Sequence, residues 1–402
     1  MRVHPVPAIH QASGYRWYIL TLATLTFTFV MGLPTMSLPV LFDEIAQELT
    51  LTLVQVGWIW GIGAVLGIVV GLVGGPVSDH LGPRRTLTGA CLLMGLMGAA
   101  RGLAWDFASL ATAMFFMGFA QSTIPLNIHK TCGIWFPGPR LGTANGVVSV
   151  GMALGFMLGS LLAATVLSPL LGGWRHVFFA YGAVALLFSL LWWFSQEKVV
   201  DDAGAHTSSQ SLSLQAALRH VARLPNVWRL SLATLGVTAC INGLLGYLPL
   251  YLRDLGWPAA SADGALAAFH AVSMVAAIPI ALFSDRLGTR TGILKVAALL
   301  VTIGVGLLTV VHGSLIWPAV LMAGVVRDGY MAITMTAVME IKGVGARYAG
   351  TAAGFLIAIM GIGAVLSPPV GNSLAAFGLS VPFVFWAGLA LVGFGGYWLV
   401  RE

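Results

Sequence analysis

Two adjacent charged residues, Arg327 and Asp328, interrupt the apolar stretch VLMAGVVRDGYMAIT. They lie about twelve residues from either end of a segment long enough to cross a bilayer. A charge within a membrane span costs about 2.5–3.5 kcal/mol on insertion scales, so it marks either a function or an ion pair. Arg327 stays protonated at any accessible pH and can hold a carboxylate or another oxyanion bidentately. Asp328 can take a proton when desolvated. Neighbouring helical residues point about 100° apart, so the two need not touch one ligand. The bland alternative is an ion pair, with each other or with another helix, that only neutralises charge. His270, in AAFHAVSMVAAIP, titrates near neutral pH and can carry a coupling proton, or it is a hydrogen-bonded packing residue. Gln121 and Asn127, Thr28 and Thr35, and Asn242, Tyr247 and Tyr251 are neutral polar residues inside apolar runs. They can orient a ligand in an otherwise apolar pocket. Equally, they can form interhelical hydrogen bonds worth about 0.6 kcal/mol each. His129 is placed to face an inner vestibule, and Lys130 to snorkel to the interface. Trp58 and Trp60 are interfacial anchors or stacking groups. Glu340 and Lys342 form an interfacial pair by position, and Arg101, Asp106, Arg175 and His176 sit at the opposite edge without a special role.

The elements that must position these residues are membrane helices. Of 402 residues, 58% are hydrophobic and 8% are charged, against about 25% charged in soluble domains. That excludes a soluble enzyme, a disordered chain and a nucleic-acid binder. The apolar runs are too long, and alternate too little, for barrel strands. Twelve spans are expected, near 17–41, 53–78, 85–104, 107–131, 141–167, 172–195, 227–252, 262–284, 290–312, 315–341, 347–372 and 380–400. With the N-terminus inside, 16 of the 20 Lys and Arg residues fall on the inner side and 3 on the outer side, which predicts that both termini are cytoplasmic. The polar stretch 196–226 divides the spans six and six. It gives an N-terminal bundle, 1–195, a cytoplasmic central loop, and a C-terminal bundle, 227–402. Within the loop, 211–223 has the spacing of an amphipathic helix. Residues 1–16 are polar and predict no signal peptide. Cys91, Cys132 and Cys240 lie in apolar runs and suggest neither disulfide nor metal.

The two halves repeat one another. Asp79, in GPVSDHLGPR, and Asp285, in DRLGTR, are 206 residues apart. Gly142-Thr-Ala-Asn-Gly146 and Gly350-Thr-Ala-Ala-Gly354 are 208 apart, and Leu38-Pro39 and Leu248-Pro249 are 210 apart. Matched segments fall on the same side of the membrane, so the halves relate by an axis along the membrane normal. With six plus six helices, a cytoplasmic central loop and this motif after the second span, the whole chain resembles the major facilitator superfamily of secondary transporters. The resemblance implies twelve transmembrane helices in two pseudo-symmetric six-helix bundles. It also implies a central cavity lined by the first, fourth, seventh and tenth helices, and an inner gate built from Gly75, Asp79, Gly82 and Arg84 with Asp285, Arg286, Gly288 and Arg290. His80 and Pro83 replace basic positions of that motif, and MFFMGFAQSTIPLN in span four lacks the Arg that many proton-coupled members carry. Span five keeps Gly146, Gly151, Gly155 and Gly159 but has Ser160 where the antiporter signature has Pro; small residues at this spacing also let helices pack closely.

No nucleotide-binding loop, zinc-protease helix or nucleophile elbow is present in the sequence, so neither an enzyme nor a cofactor is expected. The leading expectation is a secondary active transporter of a small organic or inorganic anion in the cell inner (plasma) membrane, coupled to protons. Arg327 would bind the anion with help from Gln121, Asn242, Tyr247, Tyr251, Asn127 and Thr35, and Asp328 or His270 would take the proton. The WFPGPRLGTANG stretch and the SPPVGN turn resemble organic-anion, cyanate and nitrate-type porters. The competing expectation is a proton-coupled efflux pump for lipophilic or cationic drugs, with Asp328 as its acid and Arg327 arguing against a cation site. A membrane enzyme or receptor is a third class, disfavoured by missing motifs and by the absence of a large soluble segment. The expected partners are the bilayer, protons and a small solute, with no nucleic acid, and the resemblance implies a monomer.

Overall fold

The computed structural model describes residues 12–196, 214–287 and 289–400, and among them it is helical throughout, with no strand. Helix α1 runs from Ala12–Leu25 through a π-type segment, Thr26–Gly32, into Leu33–Glu48. The bulge has a local cause. Pro34 has no amide hydrogen, and just before it the Leu33 amide bonds the Thr28 carbonyl five residues back. Helix α2 (Leu53–Leu81) starts at Thr52, whose side chain accepts from the Gln55 amide in a reciprocal capping box. Gly82, at φ 78°, ends it, and Pro83 opens α3 (Pro83–Gly102). Helix α4 (Phe107–Trp135) is capped by Asp106 through Ser109. The Ser109 hydroxyl and amide hold the Asp106 carboxyl below its ordinary range. Helix α5 is Leu141–Leu162, continued by a second π-type segment, Ala163–Leu167, and by Ser168–Leu171, and α6 is Trp174–Phe194.

A short helix, Leu214–Ala222, covers the described part of the expected amphipathic stretch; 211–213 lie outside the described residues. The second half comprises α7 (Pro225–Asp254), α8 (Ala259–Leu287), α9 (Arg290–Leu307), α10, α11 (Gly345–Ser373) and α12 (Val381–Gly396). Helix α10 was expected to be continuous. It is broken into Ile316–Gly324 and Arg327–Glu340, so Arg327 begins a new helical segment.

Among the described residues, eleven helices are long and apolar enough to cross a membrane. The helix outside that set is α3, whose Arg84, Arg85 and Arg101 lower its hydropathy. Within the first half, α1 packs on α5, α2 on α4, and α3 on α4 and α6; within the second, α7 packs on α11 and α12, α9 on α10 and α12, and α8 on α10. Between the halves the contacts are α2 with α11, α5 with α8, and α1 with α7. Glycine permits the closest of these approaches. A Cβ at Gly155 would lie 2.5 Å from the Thr28 carbonyl, and one at Gly159 would lie 2.3 Å from that of Leu33. Along α2, Cβ atoms at Gly57 and Gly61 would lie 2.6 Å from Pro369 and from the Val365 carbonyl of α11. The Gly151–Gly159 row is thus a packing seam against α1, while Gly146 meets nothing within 4 Å.

Arg101 departs from its expected place at the edge. It is 1% exposed, its guanidinium lies 4.2 Å over the Phe178 ring, and its Nη1 faces Met114 Sδ at 3.9 Å. The aromatic face and the polarisable sulfur take the place of a carboxylate partner. Arg175 joins three elements, with Nε 2.8 Å from Glu48 Oε1 and Nη1 donating to the carbonyls of Gly102 and Ala104.

Candidate functional site

A cavity of about 1080 Å³ lies between the halves, with walls from α1, α2, α4, α5, α7, α8, α10 and α11. Its wall carries Asp328 deep inside, and His129, Gly146, Leu218 and Gly350 at the end where α4 finishes and α5 and α11 start. The other end is closed by contacts between the halves. Trp60 Nε1 donates to the Asn242 carbonyl (2.8 Å), Asn372 Nδ2 to that of Leu53 (2.8 Å), and Arg253 Nη1 to that of Val40 (2.7 Å). Arg253 Nη2 also binds Asp263 Oδ1 at 2.7 Å, and Asp263 is fully buried.

The helix break after Gly324 puts Arg327 and Asp328 in the first turn of the second α10 segment. There the free amides and the helix dipole favour a carboxylate by about 0.3–1 kcal/mol. The Asp328 amide donates to Ser273 Oγ of α8 at 3.1 Å. Arg327 Nη1 binds Asp328 Oδ1 at 2.7 Å, and its guanidinium lies 4.8 Å over the Phe156 ring, itself part of the cavity wall. Asp328 belongs to the cavity wall, whereas Arg327 does not line the cavity and stands beside it, against Asp328 and the wall residue Phe156; the two side chains are 28% and 20% exposed. The ion pair anticipated as the bland alternative is therefore present, with its Asp328 half in the cavity wall.

His270 is drawn into the same cluster. Its ring packs between Phe156 and Phe269, with both centroids 5.3 Å away, and it is 1% exposed. Neither ring nitrogen has a hydrogen-bond partner among the described residues, so the hydrogen bond assumed for a packing histidine is missing. Four expected ligand groups span helix joints instead. Gln121 Nε2 donates to Thr35 Oγ1 (3.2 Å), Asn242 Nδ2 to the Ala364 carbonyl (3.1 Å), and Asn127 Nδ2 to that of Thr123, while Asn127 Oδ1 accepts from Ser78. Tyr247 and Tyr251 lie in an aromatic cluster with Phe383, their hydroxyls donating to the carbonyls of Leu379 and Leu308. Thr28 donates to the Gly151 carbonyl across the α1–α5 seam. None of these seven is part of the cavity wall.

The expected gate residues are placed in part. Gly75 lies within α2, Gly82 makes the turn after it, and Arg84 Nη2 donates to the Trp193 carbonyl at 2.5 Å. Arg286 is exposed at the end of α8. Arg290 reaches Ser284 Oγ (2.9 Å) and Glu340 Oε2 (3.3 Å). Glu340 therefore pairs across to α9 rather than with Lys342. Gly288 and the side chains of Asp79 and Asp285 lie outside the described residues. Lys130 donates to the Ser78 carbonyl at 3.1 Å, and His129 Nδ1 meets Asn145 Oδ1 at 3.0 Å at the cavity mouth.

Sequence reasoning missed most of the wall. Met152, Met274, Met331, Met335 and Met360 line it, with Phe27 and Phe156. One signal was available, because Asp328, Met331 and Met335 follow i, i+3, i+7 spacing and share a helix face.

The sequence matches the family model described as Major Facilitator Superfamily over residues 20–356. Among similar proteins, the 3-(3-hydroxy-phenyl)propionate transporter of Escherichia coli (strain K12) is 27% identical over 375 residues, 90% of this chain and 89% of that one. A probable sulfoacetate transporter of Cupriavidus necator is 24% identical over 91% of this chain and 89% of that one. A probable nitrate/nitrite antiporter of Thermus thermophilus is 28% identical over 72% and 66%. In fold, the chain is similar to a bacterial homolog of the human lysosomal transporter Spinster, solved inward-facing and unoccupied. The TM-score is 0.82 at 18% identity, over 96% of this chain and 97% of that one.

Proposed function

Because the chain belongs to the major facilitator superfamily, we propose that it carries a small organic or inorganic anion across the cytoplasmic membrane by alternating access, coupled to protons. The family and the relatives are transporters, and this chain is a transport protein rather than an enzyme. The observation that carries the reading is the ion pair of Arg327 with Asp328, of which Asp328 lines the cavity and Arg327 stands beside it over the wall residue Phe156. An arriving carboxylate or oxyanion competes with Asp328 for the Arg327 guanidinium, which offers a planar fork of donors. Once displaced, Asp328 is the carboxylate left at the wall, and in this reading it carries the coupling proton. Anion and proton then cross together, and re-forming the ion pair after release resets the site. The names of several relatives, transporters of 3-(3-hydroxy-phenyl)propionate, sulfoacetate and hexuronate among them, support an anionic solute.

In this reading α3 is the twelfth crossing, with Arg101 held by Phe178 and Arg84 by the Trp193 carbonyl. Residues 1–195 and 227–402 form two six-helix bundles, 196–226 is a cytoplasmic loop, both termini are cytoplasmic, and the transporter works as a monomer. The cavity mouth is then cytoplasmic and the structure inward-open, as supported by the closed contacts at the opposite end. The α2–α3 and α8–α9 turns, with Arg84, Arg286 and Arg290, act as the inner gate.

The methionine-rich wall favours a second reading, proton-coupled efflux of a lipophilic compound, with Asp328 as its acid. Proteoliposomes decide between them. Uptake of radiolabelled 3-(3-hydroxyphenyl)propionate, sulfoacetate or nitrate under an inward proton gradient, abolished by Arg327→Ala, supports the anion reading. Transport confined to lipophilic cations overturns it.

A further inference from the structure

We infer that the solute is an organic acid with an apolar body, its acid group at Arg327 and its body against a thioether wall; this rests on the anion reading above. The wall is chemically lopsided. Its polar side chains are Asp328, His129, Ser122, Ser149, Thr238 and Thr351. Ser122 already donates to the Gly118 carbonyl of its own helix, and His129 is engaged with Asn145. The rest is methionine, aromatic and aliphatic, including five methionines from four helices. Thioether side chains are flexible and polarisable, mould to apolar bodies of varied shape and make favourable contacts with ring edges.

A polyhydroxylated acid binds poorly in such a wall, because each hydroxyl stripped of water needs a partner and few are offered. An inorganic oxyanion would use Arg327 and leave the apolar surface without a role. At about 1080 Å³ the cavity reaches the upper end of the ~300–1,000 Å³ typical for ligand sites, and Phe156 under the guanidinium joins the charged anchor to the apolar wall. Binding should therefore grow with apolar area, about fourfold in affinity per added methylene.

The test is a thermal-shift titration of the purified full chain with benzoate, phenylacetate, 3-phenylpropionate and 4-phenylbutyrate, beside glucuronate, nitrate and tetraphenylphosphonium. The expected result is stabilisation rising along the aryl series, little from glucuronate or nitrate, roughly 30-fold weaker binding of every acid in Arg327→Ala, and selective weakening of the longer aryl acids in Met335→Gln. Stabilisation by glucuronate or nitrate exceeding that by the aryl acids, and lost in Arg327→Ala, would overturn the inference and leave the anion reading standing. Stabilisation by tetraphenylphosphonium alone would overturn both. A flat response along the aryl series, with Met335→Gln unchanged, would also overturn the inference.

Discussion

Arg327→Ala tests the site most directly. The substitution removes the guanidinium that lies 2.7 Å from Asp328 and 4.8 Å over Phe156. In the unliganded protein both side chains of the pair are partly exposed, so screening limits its contribution to stability to about 1 kcal/mol or less. Ligand binding should suffer more. A hydrogen bond to a charged group contributes about 1.5–3 kcal/mol, and a loss of about 2 kcal/mol weakens binding roughly 30-fold. A solute at 100 times the wild-type Kd stabilises by about 2.7 kcal/mol. With Kd raised roughly 30-fold, the same concentration stabilises by only about 0.9 kcal/mol. Thermal unfolding with and without 3-phenylpropionate reads that difference, and Arg327→Lys, keeping charge but not the fork, should fall between. An unchanged ligand-induced shift in Arg327→Ala, with the unliganded protein equally stable, would refute the assignment of Arg327 as the anion anchor.

Asp328→Asn should abolish accumulation driven by an inward proton gradient while sparing exchange of labelled for unlabelled solute; equal loss of both would show a structural role. Arg253→Ala leaves Asp263 buried without its cation and should destabilise the protein by about 3–5 kcal/mol. It should also move spin labels at exposed Gln47 and Ala260 further apart, because the Arg253 link to Val40 helps close that end. Asp263→Asn, which keeps a hydrogen-bond acceptor for Arg253, should be milder in the same distance measurement. Gly118→Ala would put a Cβ 1.9 Å from the Gly63 carbonyl and should cost about 1–3 kcal/mol through overpacking, read by thermal unfolding, whereas Gly146→Ala, in open space, should cost far less.

The sequence alone determined what is carried by periodicity, composition and local chemistry. Apolar runs of membrane length, punctuated by turn residues such as Gly82-Pro83, pointed to helices as the elements, because a backbone in hydrocarbon must satisfy its hydrogen bonds within the segment. The cost of charge in a span singled out Arg327 and Asp328, and spacing identified the α5 glycines as a seam. What the tertiary structure decided is which polar groups face the cavity and which face a neighbour. Gln121, Asn127, Asn242, Tyr247 and Tyr251 have the same local signature as a ligand-binding group, yet Gln121, Asn127 and Asn242 hydrogen-bond groups on a facing helix and Tyr247 and Tyr251 hydrogen-bond carbonyls of turns. Nothing within a helix tells a side chain what stands opposite. Long-range packing likewise buried Arg101 against Phe178, set Glu340 on Arg290 and locked Arg253 between Asp263 and Val40. A partner on another helix is set by how helices cross, and crossing depends on surfaces brought together only when the whole chain has folded.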